Sequence, residues 1–164
     1  MNRVTSIRLA AWLLIGGLLS AATVAAQAPT APAAPAPQAL TYEMAVQVID
    51  AAEAEARKNK WNVTIVVTDA AGVPVVLRRL TGASPRSYDI ATRKAATVVA
   101  TKLATSAYGE QLKAGTVKEV PNGINFPGGV PIMRGTEFIG AVGTSGVRAI
   151  EDEQISKARA SVVK

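Results

Sequence analysis

Residues 126–155 read FPGGVPIMRGTEFIGAVGTSGVRAIEDEQI, a glycine-rich stretch that ends in an acidic run. Six of the chain's 13 glycines lie in it, around two short apolar segments. Glycine is favoured where the backbone needs a positive φ or where another group approaches closely. The segments 130–133 and 138–143 therefore predict two short strands joined by a turn, within a shaped surface. A helix is predicted over 150–162, because the helix dipole favours the acidic residues in its first turn.

The glycines at 140, 143 and 146 invite comparison with nucleotide-binding loops. Their spacing is G-x-x-G-x-x-G, which is neither the dinucleotide-binding pattern nor a P-loop. Val147 stands where a second glycine would complete a nucleophile elbow around Ser145. The chain has no histidine, so Ser145 also lacks the usual partner of a hydrolase triad. We therefore assign no catalytic residue.

The first 26 residues have the three regions of a secretory signal peptide. Its basic start contains two arginines, and residues 9–19 form an apolar core. Val24 and Ala26 then occupy positions −3 and −1 of a cleavage site. The apolar core is short for a spanning helix, which needs about 20 residues. We expect cleavage and a periplasmic or secreted protein with no stable membrane span. The alternative is an uncleaved anchor.

Residues 27–39 are almost entirely alanine and proline, which predicts an extended linker. The folded part is then 40–164, a length that fits one compact domain. Lys and Arg outnumber Asp and Glu by 18 to 12, and loss of the two leader arginines would lower the net charge from +6 to +4. These basic residues are dispersed and aromatics are few, so nucleic-acid binding is not expected. Without Cys or His, the chain contains neither a disulfide nor a zinc motif.

Helices alternate with strand pairs in the rest of the domain. Thr41 is predicted to cap a helix that ends at Asn59. The next two apolar segments, residues 61–69 and 73–80, are predicted to form a hairpin, and Asp69 is predicted to accept hydrogen bonds in its turn. A second helix is predicted from Ser84 as cap to about Leu103, followed by a short one to 113 and a loop over 116–125. This order predicts an antiparallel sheet with helices packed on it.

The second predicted helix carries an alanine-rich segment, 91–97, that permits close packing against a sheet or a neighbouring subunit. Lys94 and Thr97 share another face of it. That face could border a pocket for an anionic ligand, or the two residues could simply be exposed. Asp50 and Glu53, three residues apart on the first helix, are expected to lie on a solvated face and not to bind a cation.

Three blocks of this sequence resemble the signatures of the GlcG/HbpS family of haem-binding proteins, whose domain is also called DUF336. They are DAAGVP at 69–74 leading to LRR at 77–79, RKAAT at 93–97, and PGGVPI at 127–132 with IGAVG at 139–143 and DEQI at 152–155. The similarity covers 40–164. It implies a profilin-like α+β fold, a single domain with an antiparallel sheet flanked by helices, and assembly into homo-oligomers. Related domains accompany glycolate or cobalamin metabolism.

We expect the ligand site to be formed by the 93–97 helix and the 127–129 loop, within one chain or across a subunit interface. The candidate ligand-binding residues are Arg93, Lys94, Thr97, Pro127, Gly128, Gly129 and Arg134. Among them the basic side chains would pair with haem propionates. The missing histidine excludes a His-ligated haem and leaves Tyr and Met as the usual haem-type ligands; no metal ligand is assigned.

We therefore predict an exported, oligomeric protein that binds haem, a related tetrapyrrole or another planar anionic ligand. Two alternatives remain open. One is an accessory or structural oligomer, linked to glycolate or cobalamin metabolism, that has no ligand. The other is an enzyme acting on a small organic acid, for which no catalytic constellation is present.

Overall fold

The computed structural model describes residues 39–158 and residue 160. The predicted leader and nearly all of the predicted linker lie outside these residues. In the described part the elements are, in chain order, α1 (Tyr42–Lys58), β1 (Thr64–Asp69), β2 (Pro74–Arg79), α2 (Arg86–Thr101), α3 (Thr105–Lys113), β3 (Gly129–Arg134), β4 (Glu137–Ser145) and α4 (Ala149–Lys157). The predicted order of helices and strand pairs is confirmed. Within the same residues, no helix is both long and apolar enough to cross a membrane.

The four strands form one sheet in the order β2-β1-β4-β3, and every neighbouring pair is antiparallel. The predicted profilin-like α+β fold, with helices flanking an antiparallel sheet in one domain, is confirmed. Because β1 is central, both of its faces are buried. Its threonines therefore lie inside, and Thr64 shares a 2.7 Å hydrogen bond with Ser87 of α2.

Helices α1 and α4 cover one face of the sheet. The apolar stripe of α1 is buried against alternate residues of the strands and against Ile155 of α4. Burying a side chain of valine or isoleucine size contributes roughly 1.5–3 kcal/mol, so this layer is the main core. The predicted cap is confirmed, since the backbone N of Met44 donates to Thr41 Oγ1 at 3.3 Å. Asp50 and Glu53 hold Arg78 of β2 at 2.6 and 2.7 Å.

Helix α2 lies on the opposite face, against β4. A Cβ placed on Gly143 would overlap the carbonyl oxygen of Ala91 and lie 2.8 Å from the backbone N of Ala95. The helix backbone thus rests directly on the strand, and only glycine facing alanines permits this distance. The alanine-rich segment packs against the sheet.

The turn between β1 and β2 follows the prediction, because Asp69 Oδ1 accepts from the backbone N of Ala71 and of Val73, both at 2.9 Å. The predicted side-chain cap at Ser84 is wrong. Pro85 already has helical angles (φ −51°, ψ −37°), and it is the carbonyl of Ser84 that accepts, from the backbone N and the hydroxyl of Ser87.

Two helices end earlier than predicted. Helix α2 stops at Thr101 because Lys102 adopts a left-handed conformation with φ +60°. Helix α4 ends at Lys157, not at 162. There the chain turns back to the sheet, and the backbone N of Met133 donates to the carbonyl of Ala160 at 3.1 Å.

Candidate functional site

A surface groove runs between α3 and α4 on the two sides of Pro127. It consists of two adjoining hollows of about 510 and 420 Å³ that share Ser106 and Pro127, and we call it the Pro127 groove. The larger hollow is also lined by Ile150, Glu153, Gln154 and Lys157. The smaller is also lined by Ala107, Glu110, Lys113, Asn125 and Phe126. Each volume lies within the range of small-molecule sites, about 300–1,000 Å³.

Apolar side chains are exposed in both hollows. Ile150 is 72% exposed and Phe126 41%, and Pro127 lies between the hollows. A contiguous apolar patch rimmed by polar residues marks a binding surface, whereas a single exposed apolar side chain is ordinary. The groove therefore offers an apolar surface to a flat ligand.

Each hollow also contains one lysine paired with a glutamate. Lys113 Nζ lies 2.8 Å from Glu110 Oε1, and Lys157 pairs with Glu153. The side chains of the two lysines are 75% and 61% exposed. The Lys113–Glu110 pair is exposed at both ends and contributes at most about 1 kcal/mol, so its ammonium group can transfer to the carboxylate of a ligand at little cost. Glu153 is only 9% exposed, so Lys157 keeps this partner when it meets a ligand.

A buried ion pair lies beneath the groove. Lys94 of α2 is fully buried, and its Nζ lies 2.8 Å from Asp152 Oδ2 of α4 and 2.8 Å from the carbonyl of Thr144. Asp152 Oδ1 also accepts from the backbone N of Val147 at 3.2 Å. Burial lowers the pKa of Lys94 and raises the pKa of Asp152, while the attraction between the two charges opposes both shifts. The pair joins the helices on the two faces of the sheet.

Gly128 covers this pair. It has φ +128°, and a Cβ there would overlap Lys94 Nζ and lie 2.9 Å from Asp152 Cβ. Its carbonyl accepts from the backbone N of Thr144 and from Ser156 Oγ, both at 2.8 Å. The ring of Phe126 lies above the same ammonium, 5.1 Å from its centroid to Nζ. Gly128 and Gly129 are buried behind Pro127 and line neither hollow; we call them the groove floor, and Gly128 rests on the Lys94–Asp152 pair.

The predicted site residues fall into three groups. Pro127 lines the groove, Gly128 and Gly129 form its buried floor, and Lys94 lies below them. The sequence left open whether Lys94 borders a pocket or is simply exposed. Lys94 is fully buried and lines neither hollow of the groove. Its charge is already matched by Asp152. The ligand-binding roles of these residues stay predictions.

Arg93 and Thr97 hold the loop that precedes the groove. Thr97 Oγ1 accepts from the backbone N of Ile124 at 2.9 Å, and Arg93 Nε donates to the carbonyl of Asn122 at 3.0 Å. Arg134 lies at the other end of β3 from Gly129, roughly 17 Å away at about 3.3 Å per residue. Arg134 is therefore separated from the other predicted residues.

Sequence reasoning missed Asp152 as a partner of Lys94, and Lys113, Lys157 and Ile150 as groove residues. A signal for the first existed: Lys94 follows Ala91 by three residues and precedes Val98 by four, which places it on the buried stripe of α2. The acidic run gave no sign of which carboxylate points inward.

The fold and groove define an α+β domain with a four-stranded antiparallel sheet, helices on both faces and a groove next to the start of β3. A family model described as "Haem degrading protein HbpS-like" matches residues 40–161. The chain belongs to this HbpS-like family, as the three sequence blocks predicted.

Individual relatives agree with this assignment. Protein GlcG of Escherichia coli (strain K12) is 36% identical over 108 residues, which cover 65% of this chain and 81% of GlcG. A double mutant of HbpS from Streptomyces reticuli is 33% identical with a TM-score of 0.71, covering 88% of this chain and 99% of that one. The crystal structure of a PduOC–haem complex is 27% identical with a TM-score of 0.65, covering 77% and 98%.

Proposed function

We propose that this protein binds haem or a related tetrapyrrole in the Pro127 groove. The observation that carries the proposal is the combination of exposed apolar side chains, Phe126 and Ile150, with one lysine in each hollow. A tetrapyrrole of the haem class has a flat apolar ring and two carboxylates, which match these two features. The PduOC–haem complex, a structural relative, supports this ligand class.

The groove fits the organic part of haem better than its iron. The chain contains no His or Cys, and in the described residues neither a Tyr nor a Met lines the groove. Bound haem iron would supply redox chemistry, whereas this chain's residues would hold the ring and its carboxylates. Phe126, Pro127 and Ile150 would contact the ring, and Lys113 and Lys157 would pair with the carboxylates.

Export and self-assembly are part of the proposal. The leader at 1–26 supports a periplasmic or secreted location. Two apolar side chains are exposed at the edge strand β2: Leu77 on the strand is 41% exposed, and Val73 just before it is 59% exposed. They support a homo-oligomer, because exposed apolar edge strands tend to be covered. Native mass spectrometry of the purified protein tests the assembly, and a concentration-independent monomer would contradict it. The same surface favours the second candidate function, a structural oligomer without a ligand.

Titration of the purified protein with haemin, followed at the Soret band, tests the main proposal. We expect a saturable shift at micromolar protein. Ile150→Glu should weaken binding by about tenfold or more, since it removes apolar contact and repels carboxylates. Tyr42→Glu is the matched control, because Tyr42 is also exposed in the first turn of a helix but lies outside the groove. Absence of any saturable shift would refute haem binding.

A further inference from the structure

We propose that the Pro127 groove recognises a tetrapyrrole through its carboxylates and its apolar face and not through the metal. Metal-free porphyrin should then bind as tightly as haem. This inference rests on the proposed function, and it concerns which part of the ligand supplies the binding energy.

The usual iron-ligating side chains are committed elsewhere or lie outside the groove. Tyr108 is buried, and its hydroxyl accepts from the backbone N of Val120 at 2.8 Å. The sulfur of Met44 accepts from Arg134 at 3.0 Å, on the α1 side of the sheet. The remaining described candidates, Tyr42, Tyr88 and Met133, do not line either hollow.

The polar groups inside the larger hollow already have partners. Glu153 accepts from Ser106 Oγ at 3.1 Å and pairs with Lys157, and its side chain is only 9% exposed. Gln154 Nε2 donates to Glu55 Oε1 at 2.6 Å. An iron bound by Glu153 would have to displace both a hydroxyl and an ammonium from a nearly buried carboxylate. Leaving such groups without partners is unfavourable.

Lys113 has no such constraint, because its ion pair with Glu110 is exposed at both ends and a ligand carboxylate can replace Glu110. Lys157 can donate to a ligand carboxylate while it stays paired with the nearly buried Glu153, because its ammonium group is exposed and has three donors. The two lysines occupy different hollows, on the two sides of Pro127. A ligand spanning the groove with a carboxylate near each end would meet both.

The test compares haemin, metal-free protoporphyrin IX and protoporphyrin IX dimethyl ester, titrated by absorbance and by Trp61 fluorescence quenching. We expect haemin and the free acid to have Kd values within about threefold, and the ester to bind at least about tenfold more weakly. The variant Lys113→Gln/Lys157→Gln should bind the free acid as weakly as the ester and leave the ester unchanged. Lys58→Gln, on the exposed end of α1, controls for loss of positive charge.

Each other outcome is decisive. Haemin binding more than about tenfold tighter than the free acid, with a Soret shift that Glu153→Gln removes, would overturn this inference and leave the proposed function standing. Equal binding of acid and ester would overturn the role of the carboxylates. If none of the three binds, the proposed function itself fails. Unchanged circular dichroism of the surface variants shows that the fold is intact.

Discussion

The substitution Asp152→Asn tests whether the buried ion pair holds the two helical layers together. It retains the shape of the side chain but removes the negative charge that faces Lys94 Nζ at 2.8 Å. Lys94 is fully buried and keeps only the Thr144 carbonyl as its other hydrogen-bond acceptor. The variant therefore leaves an ammonium group inside the protein without a hydrogen-bonded counter-charge.

The cost is bounded in two ways. Removing one partner of a buried ion pair destabilises proteins by about 3–5 kcal/mol. Lys94 can instead lose its proton, and neutralising a lysine of ordinary pKa, about 10.4, costs about 4.6 kcal/mol at pH 7. We expect the free energy of unfolding to fall by about 3–5 kcal/mol, which is a large part of the 5–15 kcal/mol that is typical of a domain.

The pH dependence distinguishes this mechanism from a general packing defect. Burial lowers the pKa of Lys94, and without Asp152 only the attraction of Glu153 still opposes that shift. The unfolded variant then binds more protons than the folded one between the lowered pKa and about 10.4, so its stability rises with pH in this window. The deficit should shrink as the pH rises from 7 to 9, by at most about 1.4 kcal/mol per pH unit, which is the slope where Lys94 of the folded variant is fully neutral.

Urea unfolding followed by the fluorescence of Trp61, which packs against the core, measures both quantities. Asp89→Asn is the control, because it breaks an exposed pair with Arg93 at 3.7 Å and should cost no more than about 0.5 kcal/mol. Adding Lys94→Met to Asp152→Asn should recover part of the loss, since the unpaired charge is then absent. A loss equal to that of the control, or one that does not change between pH 7 and pH 9, would refute the reasoning.

Three further substitutions test the surroundings of the groove. Gly128→Ala should cost about 1–3 kcal/mol in urea unfolding through overlap with the pair below, more than Gly135→Ala, which has φ +58° but open space around it. Thr97→Val should leave the backbone N of Ile124 without its acceptor, cost about 1–3 kcal/mol and speed hydrogen exchange at that amide. Arg134→Gln should leave porphyrin affinity unchanged, because the residue lies roughly 17 Å along β3 from the groove floor; a tenfold loss would restore it to the site.

Local rules predicted most of the elements. The cap at Thr41 and the turn at Asp69 depend on hydrogen bonds between residues two to four positions apart, so their neighbours determine them. The side-chain cap at Ser84 failed, because the carbonyl of Ser84 and not its hydroxyl accepts from the backbone N of Ser87. The end of α4 depended on the return of Ala160 to β3, which no local pattern contains.

The candidate site was predictable only in part. The blocks at 93–97 and 127–129 were predicted to form one site, and the structure places Lys94 against Gly128, whereas Pro127 is the residue of these blocks that lines the groove. Lys113 and Lys157 read as ordinary solvated helix positions, since only the packing of α3 beside α4 places them in one groove. Arg134 was included on its charge alone.

By itself, the sequence determined the order of elements, the family and the absence of a histidine ligand, because periodicity, caps and composition are properties of neighbouring residues. The tertiary structure decided which charges are used internally and which remain for a ligand. Lys94 and Asp152 are 58 residues apart, on helices that cover opposite faces of the sheet. Their pairing depends on how those helices pack around β3, and the spacing of the two residues along the chain does not predict it.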